Sequence, residues 1–308
     1  MKPATVVFAY HNIGVIGIDC LLQAGFDIRL VVTHRDNAGE NIWFDSVAEL
    51  AEKHAIAVLM PDDPNQPEII AALQKIAPQW LFSFYYRQLL SEQILAIPER
   101  GAYNLHGSLL PKYRGRAPVN WAVLHGEPET GVTLHQMEAK PDAGAVVDRQ
   151  AVAIDDNDTA HDVFLKLAPA ARTLLQRCLP KMLAGDFSLQ PLDLDQGNYF
   201  GGRTAADGRI DWTRSAWEIH NLVRAVAPPY PGAFFACQGH RVFLLGSYYN
   251  GEVAANSQGK VCIYCENGQF YADCADGKRF RILQLAVAGK NLLPEDFHRL
   301  FGEQLVVQ

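Results

Sequence analysis

The chain lacks several features that would assign it to a specialised class of protein. None of its apolar runs approaches the roughly 18 residues that a membrane-spanning helix needs. Its first residues lack the apolar core and cleavage site of a signal peptide, so we expect a cytoplasmic protein. The formal net charge of −7 argues against a partner bound mainly through nucleic-acid phosphates.

Cysteine is also scarce, with six residues scattered along the 308. Cys262 and Cys265 have the spacing of zinc ligands, and Cys274 follows nearby. There is no second C-x-x-C, however, and this segment alternates like a strand. We therefore expect buried strand thiols rather than a zinc site, and no metal centre.

Two common catalytic motifs are missing. No G-x-S-x-G elbow is present, which favours direct transfer between two bound substrates over a covalent intermediate. Gly14 and Gly17 follow the first strand without the G-x-G-x-x-G spacing. A tight strand-to-helix turn is therefore favoured over a dinucleotide site, and a phosphate or sugar-nucleotide contact near His11 and Asn12 is the third interpretation.

The first half of the chain does have a regular alternation of apolar strands and helical periodicity. Strand runs at 4–10, 28–33, 56–59 and 80–84 alternate with helical runs at 14–24, 44–54 and 67–76. This alternation predicts an α/β fold, a Rossmann-like, mostly parallel sheet with helices on both faces. Further on, helices are predicted at 118–125 and 159–183, and strands at 130–137 and 145–154.

The pattern changes near residue 208. A helix at 215–226 precedes short alternating strands, with turns expected at Gly239, Gly246, Gly251, Gly259, Gly268 and Gly277. Short strands with glycine turns are typical of a small antiparallel domain, here a β-barrel of the OB-like kind. We predict a catalytic domain over 1–186, a linker over 187–207 and the β-barrel-like domain over 208–308.

The chemistry is concentrated in the run Asn104-Leu105-His106-Gly107-Ser108-Leu109-Leu110-Pro111 and in Asp142. Asn104 and His106 stand two apart at the end of a predicted strand, so their side chains share a face. An amide donor can stabilise an oxyanion, an imidazole can carry a proton, and a carboxylate can orient the imidazole. The three together predict acyl transfer.

These residues carry a resemblance to a known family. The Asn-x-His-x-Ser-Leu-Leu-Pro run, with the aspartate of Asp-Ala-Gly, resembles the signature of the folate-dependent formyltransferase superfamily. The resemblance implies 10-formyltetrahydrofolate as co-substrate and an amine as acceptor. It also implies that His106 is the general base and acid, that Asn104 stabilises the oxyanion, and that Asp142 tunes His106.

The same resemblance implies which residues hold the folate. Its pterin would lie against the backbone of one loop and be enclosed by a second, with one further side-chain contact. These residues are Gln88, Leu89 and Leu90 in the first loop, Glu138, Ala139, Lys140 and Pro141 in the second, and Arg116 as the further contact. With Lys112 and Arg114, Arg116 could instead be part of an exposed basic turn.

Within the superfamily, segments at 8–11, 82–87, 111–118, 200–204 and 223–226 resemble the enzymes that formylate UDP-4-amino-4-deoxy-L-arabinose. That resemblance implies a nucleotide-sugar substrate and a link to lipid A modification and polymyxin resistance. The bifunctional members carry a second, NAD-dependent decarboxylase domain, for which this chain has no room.

Phe200, Arg203, Arg224 and Tyr230 are candidate contacts to the sugar nucleotide. An arginine could pair with the diphosphate, and an aromatic ring could stack on the base. The alternatives are packing between domains for the two rings and an exposed or salt-bridged surface for the two arginines.

Other functions are open on the sequence alone. The acceptor could be a dTDP-4-amino-4,6-dideoxyhexose, methionyl-tRNA or water. Few lysines and arginines lie between residues 233 and 287, which argues against tRNA. A non-catalytic folate or nucleotide-sugar sensor is the alternative of another class, and the intact set of Asn104, His106 and Asp142 argues against it. The sequence does not indicate an oligomeric state.

Overall fold

The structure, a computed structural model, describes residues 3–37, 42–254 and 260–307. The chain forms two compact units, each assembled from separate segments. The first contains Met1–Pro118, Thr130–Val152 and Leu165–Phe200, and the second contains Val119–Glu129, Ala153–Phe164 and Gly201–Gln308. The domain boundaries expected from the sequence, on either side of 187–207, stay a prediction.

Before residue 201 the described residues form nine strands and six α-helices, which alternate up to residue 106 as the periodicity predicted. The strands are β1 (Ala4–Ala9), β2 (Asp27–Val32), β3 (Ala57–Leu59), β4 (Trp80–Phe84), β5 (Ala102–His106), β6 (Arg114–Gly115), β7 (Glu129–Gln136), β8 (Val146–Ala153) and β9 (Tyr199–Phe200). The helices are α1 (His11–Ala24), α2 (Val47–Lys53), α3 (Pro67–Ile76), α4 (Glu92–Leu95), α5 (Pro118–Leu124) and α6 (Ala160–Ala184).

Within the described ranges, seven of these strands form one sheet in the order β3-β2-β1-β4-β5-β7-β8. The first five strands in this order, β3, β2, β1, β4 and β5, pair in parallel. Strand β7 runs antiparallel to β5. Every residue of β4 is buried, which explains its continuous apolar run. The expected mixed α/β fold with a mostly parallel sheet is confirmed.

The strand order reverses at β1, which has β2 on one side and β4 on the other. At such a point the connections leave in opposite directions, and a crevice forms at the carboxyl ends of the strands. The hydrogen bond from the N–H of Tyr10 to the carbonyl of Phe84, at 3.1 Å, joins these two ends. β5, which ends at His106, is the next strand along the same edge.

The part of the second unit after residue 201 contains an antiparallel sheet packed with helices. Its strands are β10 (Ala233–Cys237), β11 (His240–Tyr248), β12 (Cys262–Glu266), β13 (Gln269–Asp273), β14 (Arg279–Val287), β15 (Lys290–Asn291) and β16 (Gln304–Val306), and its helices are α7 (Ala216–Val226) and α8 (Pro294–Phe301). The strand order is β10-β11-β14-β13-β12-β16, with β15 added beside β14. The sheet is curled into a half-barrel, as expected for the C-terminal region.

Gly239, Gly268 and Gly277 lie at turns as expected, and Gly251 lies in the loop after β11. Gly246 lies inside β11, where the register with β14 shifts, so its lack of a side chain marks an irregularity rather than a turn. The turn expected at Gly259 lies outside the described residues. Cys262 and Cys265 lie on β12, which confirms the strand assignment; Cys262 and Cys274 are buried as expected, whereas Cys265 is only half-buried.

Helix α7 begins with a capping box. The Ser215 hydroxyl accepts from the N–H of Glu218, and the Glu218 carboxylate accepts from the N–H of Ser215. From this start, Ile219 and Val223 pack into the core of the half-barrel.

Among the described helices none is both long and apolar enough to cross a bilayer.

Candidate active site

Strands β5 and β7 place four polar side chains on one face of the parallel sheet. In their antiparallel register Asn104 pairs with His135, and His106 pairs with Thr133. Residues directly opposite each other share a face, as do residues two apart on one strand. His106, Thr133 and His135 are buried, and Asn104 is half-buried. The hydroxyl and the two imidazoles are therefore largely shielded from water.

Asp142, from the segment between β7 and β8, completes this group. Its Oδ1 lies 3.5 Å from Nδ1 of His106 and 3.4 Å from Nε2 of His135, while its Oδ2 accepts from the N–H of Gly115 at 2.9 Å. Burial alone would raise the pKa of this carboxyl, but His106, His135 and the Gly115 N–H together hold it well below its usual range. Asp142 is therefore an anion throughout the neutral pH range.

The hydrogen bonds of His106 define its orientation. Its Nε2 lies 2.8 Å from the carbonyl oxygen of Tyr113. A carbonyl only accepts, so this nitrogen carries a hydrogen and donates it. The other nitrogen, Nδ1, faces Asp142 at 3.5 Å, longer than a normal hydrogen bond. Nδ1 is thus the ring nitrogen at which a proton can be exchanged, beside a fixed negative charge.

The segment after β5 is held by hydrogen bonds with the hydroxyls of Thr133 and Ser108. Thr133 Oγ1 donates to the carbonyl of Ser108 at 2.6 Å and accepts from the N–H of Leu110 at 3.1 Å. Ser108 Oγ in turn donates to the carbonyl of Lys112 at 2.6 Å. These bonds hold in place the chain that supplies the Tyr113 carbonyl to His106.

Gly107 has no room for a side chain. A Cβ added there would lie 2.3 Å from the hydroxyl oxygen of Tyr85, well inside contact distance. Tyr85 directly follows β4, and Gly107 directly follows β5. The glycine thus permits the ends of two neighbouring strands to approach closely beside His106.

The first loop that the resemblance assigns to folate follows β4 and is held by Asn65. The Asn65 amide donates to the carbonyl of Leu89 at 3.0 Å and accepts from the N–H of Ser91 at 2.7 Å. Gln88 is exposed and donates to the carbonyl of Asp62, and the side chain of Leu89 is 71 % exposed. Leu90 is buried in the core, so the loop is anchored at one end and open to solvent at the other.

Most residues of the second loop assigned to folate are exposed to solvent, as are two of the three basic residues at positions 112–116. Glu138, Ala139 and Lys140 are exposed, Pro141 is half-buried, and Lys112 and Arg116 are exposed. Arg114, by contrast, is buried, and its Nε has no hydrogen-bond partner among the described residues.

The four expected sugar-nucleotide residues lie in different surroundings. In the first unit, Phe200 stacks on Tyr113, with ring centroids 5.5 Å apart. In the second unit, the Arg203 guanidinium lies 4.5 Å from the ring centroid of Trp121, whose Nε1 donates to the carbonyl of Gly201.

Arg224 and Tyr230 are more enclosed. The Arg224 guanidinium donates to the carbonyls of Asp155 and Asp158 at 3.3 and 3.1 Å, and burial lowers its pKa to about 10. Tyr230 packs on the half-barrel core, and burial raises its pKa. A contact of either residue with substrate stays a prediction.

Two residues that contact the candidate site residues, His135 and Trp121, were not singled out from the sequence. His135 contacts both Asn104, at 3.2 Å, and Asp142. The available signal was the alternation Thr133-Leu134-His135 on a predicted strand, but the register against β5 cannot be read from it. Trp121 lies within a predicted helix, where nothing distinguishes it from a core aromatic. Across the described ranges, no three His, Cys, Asp or Glu side chains are placed to hold a metal ion.

Solved structures of similar fold provide an independent comparison. An N-formyltransferase from Helicobacter canadensis, in complex with folinic acid and dTDP-3-aminofucose, matches with a TM-score of 0.72 and 20% identity, over 92% of this chain and 99% of that one. WlaRD, a sugar 3N-formyl transferase in the presence of dTDP and 5-N-formyl-THF, matches equally well by TM-score and identity, over 94% of this chain and 99% of that one. A sugar N-formyltransferase from a Shewanella species has a TM-score of 0.63 and 17% identity, over 81% of this chain and 100% of that one.

The comparison with family sequence profiles is more direct. The formyl transferase profile matches residues 6–179, more than half of the chain. The profile of the formyl transferase C-terminal domain matches residues 203–300. The chain therefore belongs to the formyl transferase family.

Proposed function

We propose that the protein transfers a formyl group from 10-formyltetrahydrofolate to the amino group of a nucleotide-linked sugar. The carrying observation is the group of Asn104, His106 and Asp142 at one end of β5, with a carboxylate anion against the imidazole. A positioned amide, imidazole and carboxylate are the groups that acyl transfer to an amine needs. Family membership and the absence of a nucleophile motif favour direct transfer.

In the proposed reaction, the acceptor amine attacks the formyl carbon and forms a tetrahedral intermediate. The oxygen of that carbon becomes an oxyanion, to which the Asn104 amide donates. His106 takes a proton from the attacking nitrogen at Nδ1 and returns it to N10 of the folate as the bond between carbon and N10 breaks. The products are the formamide of the sugar and tetrahydrofolate. Asp142 stabilises the transient imidazolium.

We assign the donor to the two loops of the first unit, which contain residues 88–90 and 138–141, with Arg116 as a further contact. Loop backbone offers donors and acceptors at fixed positions, which a pterin ring requires. The support is the brace that Asn65 provides to the first loop and the exposure of both loops. The relatives crystallised with folinic acid or 5-N-formyl-THF share this fold.

For the acceptor we propose UDP-4-amino-4-deoxy-L-arabinose, on the sequence resemblance to the enzymes that formylate it. This acceptor would link the protein to lipid A modification and polymyxin resistance. The second candidate is a dTDP-linked amino sugar, because one similar structure was solved with dTDP-3-aminofucose. Phe200, Arg203, Arg224 and Tyr230 are the proposed contacts, and of the two arginines Arg203, which lies over Trp121, is the less buried.

An acceptor panel tests this function. The protein is mixed with 10-formyltetrahydrofolate and either UDP-4-amino-4-deoxy-L-arabinose, dTDP-linked 3-amino and 4-amino sugars, or methionyl-tRNA. Release of tetrahydrofolate and the product mass are followed. Matched reactions contain His106→Ala, which should bind folate yet turn over at least about 10²-fold more slowly.

Formylation of the UDP-sugar alone would establish the proposed acceptor. Turnover with a dTDP-sugar instead would keep the mechanism and change the acceptor. Transfer to methionyl-tRNA alone would contradict the sugar proposal. Folate binding without transfer to any acceptor would favour the non-catalytic sensor.

A further inference from the structure

The segment 113–116, which follows the histidine motif, contacts both His106 and Asp142 through its backbone. The carbonyl of Tyr113 accepts from Nε2 of His106 at 2.8 Å. Two residues further on, the N–H of Gly115 donates to Oδ2 of Asp142 at 2.9 Å. The separation of the imidazole and the carboxylate therefore depends on where these two peptide groups lie.

The backbone conformation of Tyr113 is one that its surroundings must maintain. Its φ is 56°, in the left-handed region, which is uncommon for a residue with a side chain and most of all for a bulky one. A residue in such a conformation persists only where neighbouring groups hold it. Whatever holds Tyr113 thus also positions its carbonyl against His106.

Asn198 bonds to this segment twice. Its side-chain Oδ1 accepts from the N–H of Tyr113 at 2.5 Å, and its carbonyl oxygen accepts from the N–H of Arg114 at 3.1 Å. Tyr113 and Arg114 are buried, and N–H groups shielded from water need a protein partner. One residue therefore satisfies two consecutive N–H groups of the segment.

The chain around Asn198 lies directly against the segment. Strands β6 and β9 pair in parallel, and the N–H of Arg116 donates to the carbonyl of Phe200 at 3.0 Å. A Cβ added at Gly197 would lie 2.2 Å from the carbonyl oxygen of Pro111, and one added at Gly115 would lie 2.1 Å from that of Phe200. The two stretches of chain are thus in backbone contact, with no room for a side chain between them.

We propose that Asn198 is a positioning residue, which holds His106 and Asp142 at a fixed separation by fixing the segment 113–116. The proposal rests on the formyl-transfer function proposed above. The side chain of Asn198 is exposed, so its removal takes nothing out of the core. Removal does deprive the Tyr113 N–H of its partner, and the contacts of the segment with His106 and Asp142 then loosen.

Kinetics of two substitutions at Asn198 test this role. Asn198→Ala removes the acceptor, whereas Asn198→Asp keeps an oxygen at the same place. We expect Asn198→Ala to lower kcat by about tenfold, because a small displacement of the reacting groups slows transfer strongly. KM for both substrates should change by less than about threefold. Asn198→Asp should recover most of the loss in kcat. An unchanged kcat in Asn198→Ala, or an equal loss in Asn198→Asp, would overturn the proposal.

Gln196→Ala is the matched control. Gln196 is an exposed amide two residues before Asn198, and its Nε2 donates to Asp193 at 2.9 Å rather than to the segment 113–116. We expect this variant to keep the wild-type kcat. A loss as large as that of Asn198→Ala would overturn the proposal, because any disturbance of this stretch would then suffice.

The His106→Ala background shows whether Asn198 acts through the histidine. If it does, Asn198→Ala should lower kcat by less than about threefold in that background, because the group that it positions is already absent. A loss of the same size in both backgrounds would show that Asn198 acts independently of His106 and would contradict the positioning role.

Amide hydrogen exchange, followed by NMR, tests the positioning without the reaction. In Asn198→Ala we expect the N–H of Gly115 to exchange about tenfold faster, while the amides of the buried strand β4 keep their wild-type rates. Unchanged exchange at Gly115, or equal acceleration in β4, would overturn the proposal. If no acceptor is formylated, the exchange result still stands, and only the proposed function is refuted.

Discussion

The backbone N–H of Gly115 donates to Oδ2 of Asp142 at 2.9 Å, which leaves Oδ1 to face the two imidazoles. Gly115 lies on the short strand β6, and Asp142 adopts a left-handed backbone with φ of 52°. A short polar residue tolerates this conformation better than most. The carboxylate is thus fixed through its second oxygen by the segment that follows the histidine motif.

Acid stability should depend on Asp142. Its pKa is depressed in the folded protein, so its contribution is fully present above the unfolded value of about 3.9 and is lost as pH falls toward the folded value. We expect the free energy of unfolding to decrease as pH falls from about 5 to about 3, and to decrease less in Asp142→Asn. Urea unfolding across this range measures the difference. Exposed Asp186→Asn is the control, and equal slopes for Asp142→Asn and wild type would refute the expectation.

The local signals in the sequence predicted the elements that position this site. Continuous apolar runs predicted β1 and β4, and helical periodicity predicted α3 with its bounds at 67–76. The i, i+2 rule placed Asn104 and His106 on one face because it depends only on the geometry of a single strand. These inferences need no knowledge of distant contacts.

His135 could not be found in this way because its proximity to Asn104 depends on strand register. A shift of one residue between β5 and β7 would turn His135 to the opposite face, and periodicity within β7 does not specify that register. The short strands β6 and β9 were missed for a related reason. Each has two residues, and they are defined by their pairing with each other. The turn expected at Gly246 was wrong because a glycine at an irregularity within a strand gives the same signal.

Gly107→Ala should disturb the site through Tyr85. The added methyl would lie 2.3 Å from the tyrosine hydroxyl, so either the Tyr85 side chain or one of the two strand ends must shift. Overpacking of this kind typically costs about 1–3 kcal/mol of stability, and we expect kcat to fall as His106 moves. Thermal unfolding and steady-state kinetics measure both effects. Combining it with Tyr85→Phe removes the clashing oxygen and should restore part of each; a double variant no better than Gly107→Ala would refute this explanation.

Asn65 should control the affinity for the folate donor without touching the chemistry. Asn65→Ala removes both hydrogen bonds that hold the loop at Leu89 and Ser91, each worth about 1 kcal/mol. We expect KM for 10-formyltetrahydrofolate to rise about tenfold, with KM for the acceptor unchanged. Asn65→Asp retains the acceptor for Ser91 but places an oxygen against the Leu89 carbonyl and the Asp63 carboxylate, so its effect should be at least as large. An equal rise in both KM values would contradict an assignment of this loop to the donor.

Arg203 should control the affinity for the nucleotide-sugar acceptor and leave the affinity for the folate donor unchanged. Its guanidinium lies over Trp121, and burial lowers its pKa, so a phosphate would meet a partly desolvated cation. Arg203→Lys keeps the charge but loses the planar group that stacks on the indole and pairs with two oxygens. We expect KM for the nucleotide sugar to rise about tenfold while KM for the folate is unchanged. Arg214→Lys is the matched control, because Arg214 is an exposed arginine paired with Asp211 and Glu218. If Arg203→Lys and Arg214→Lys behave alike, Arg203 is a surface residue and the nucleotide is bound elsewhere.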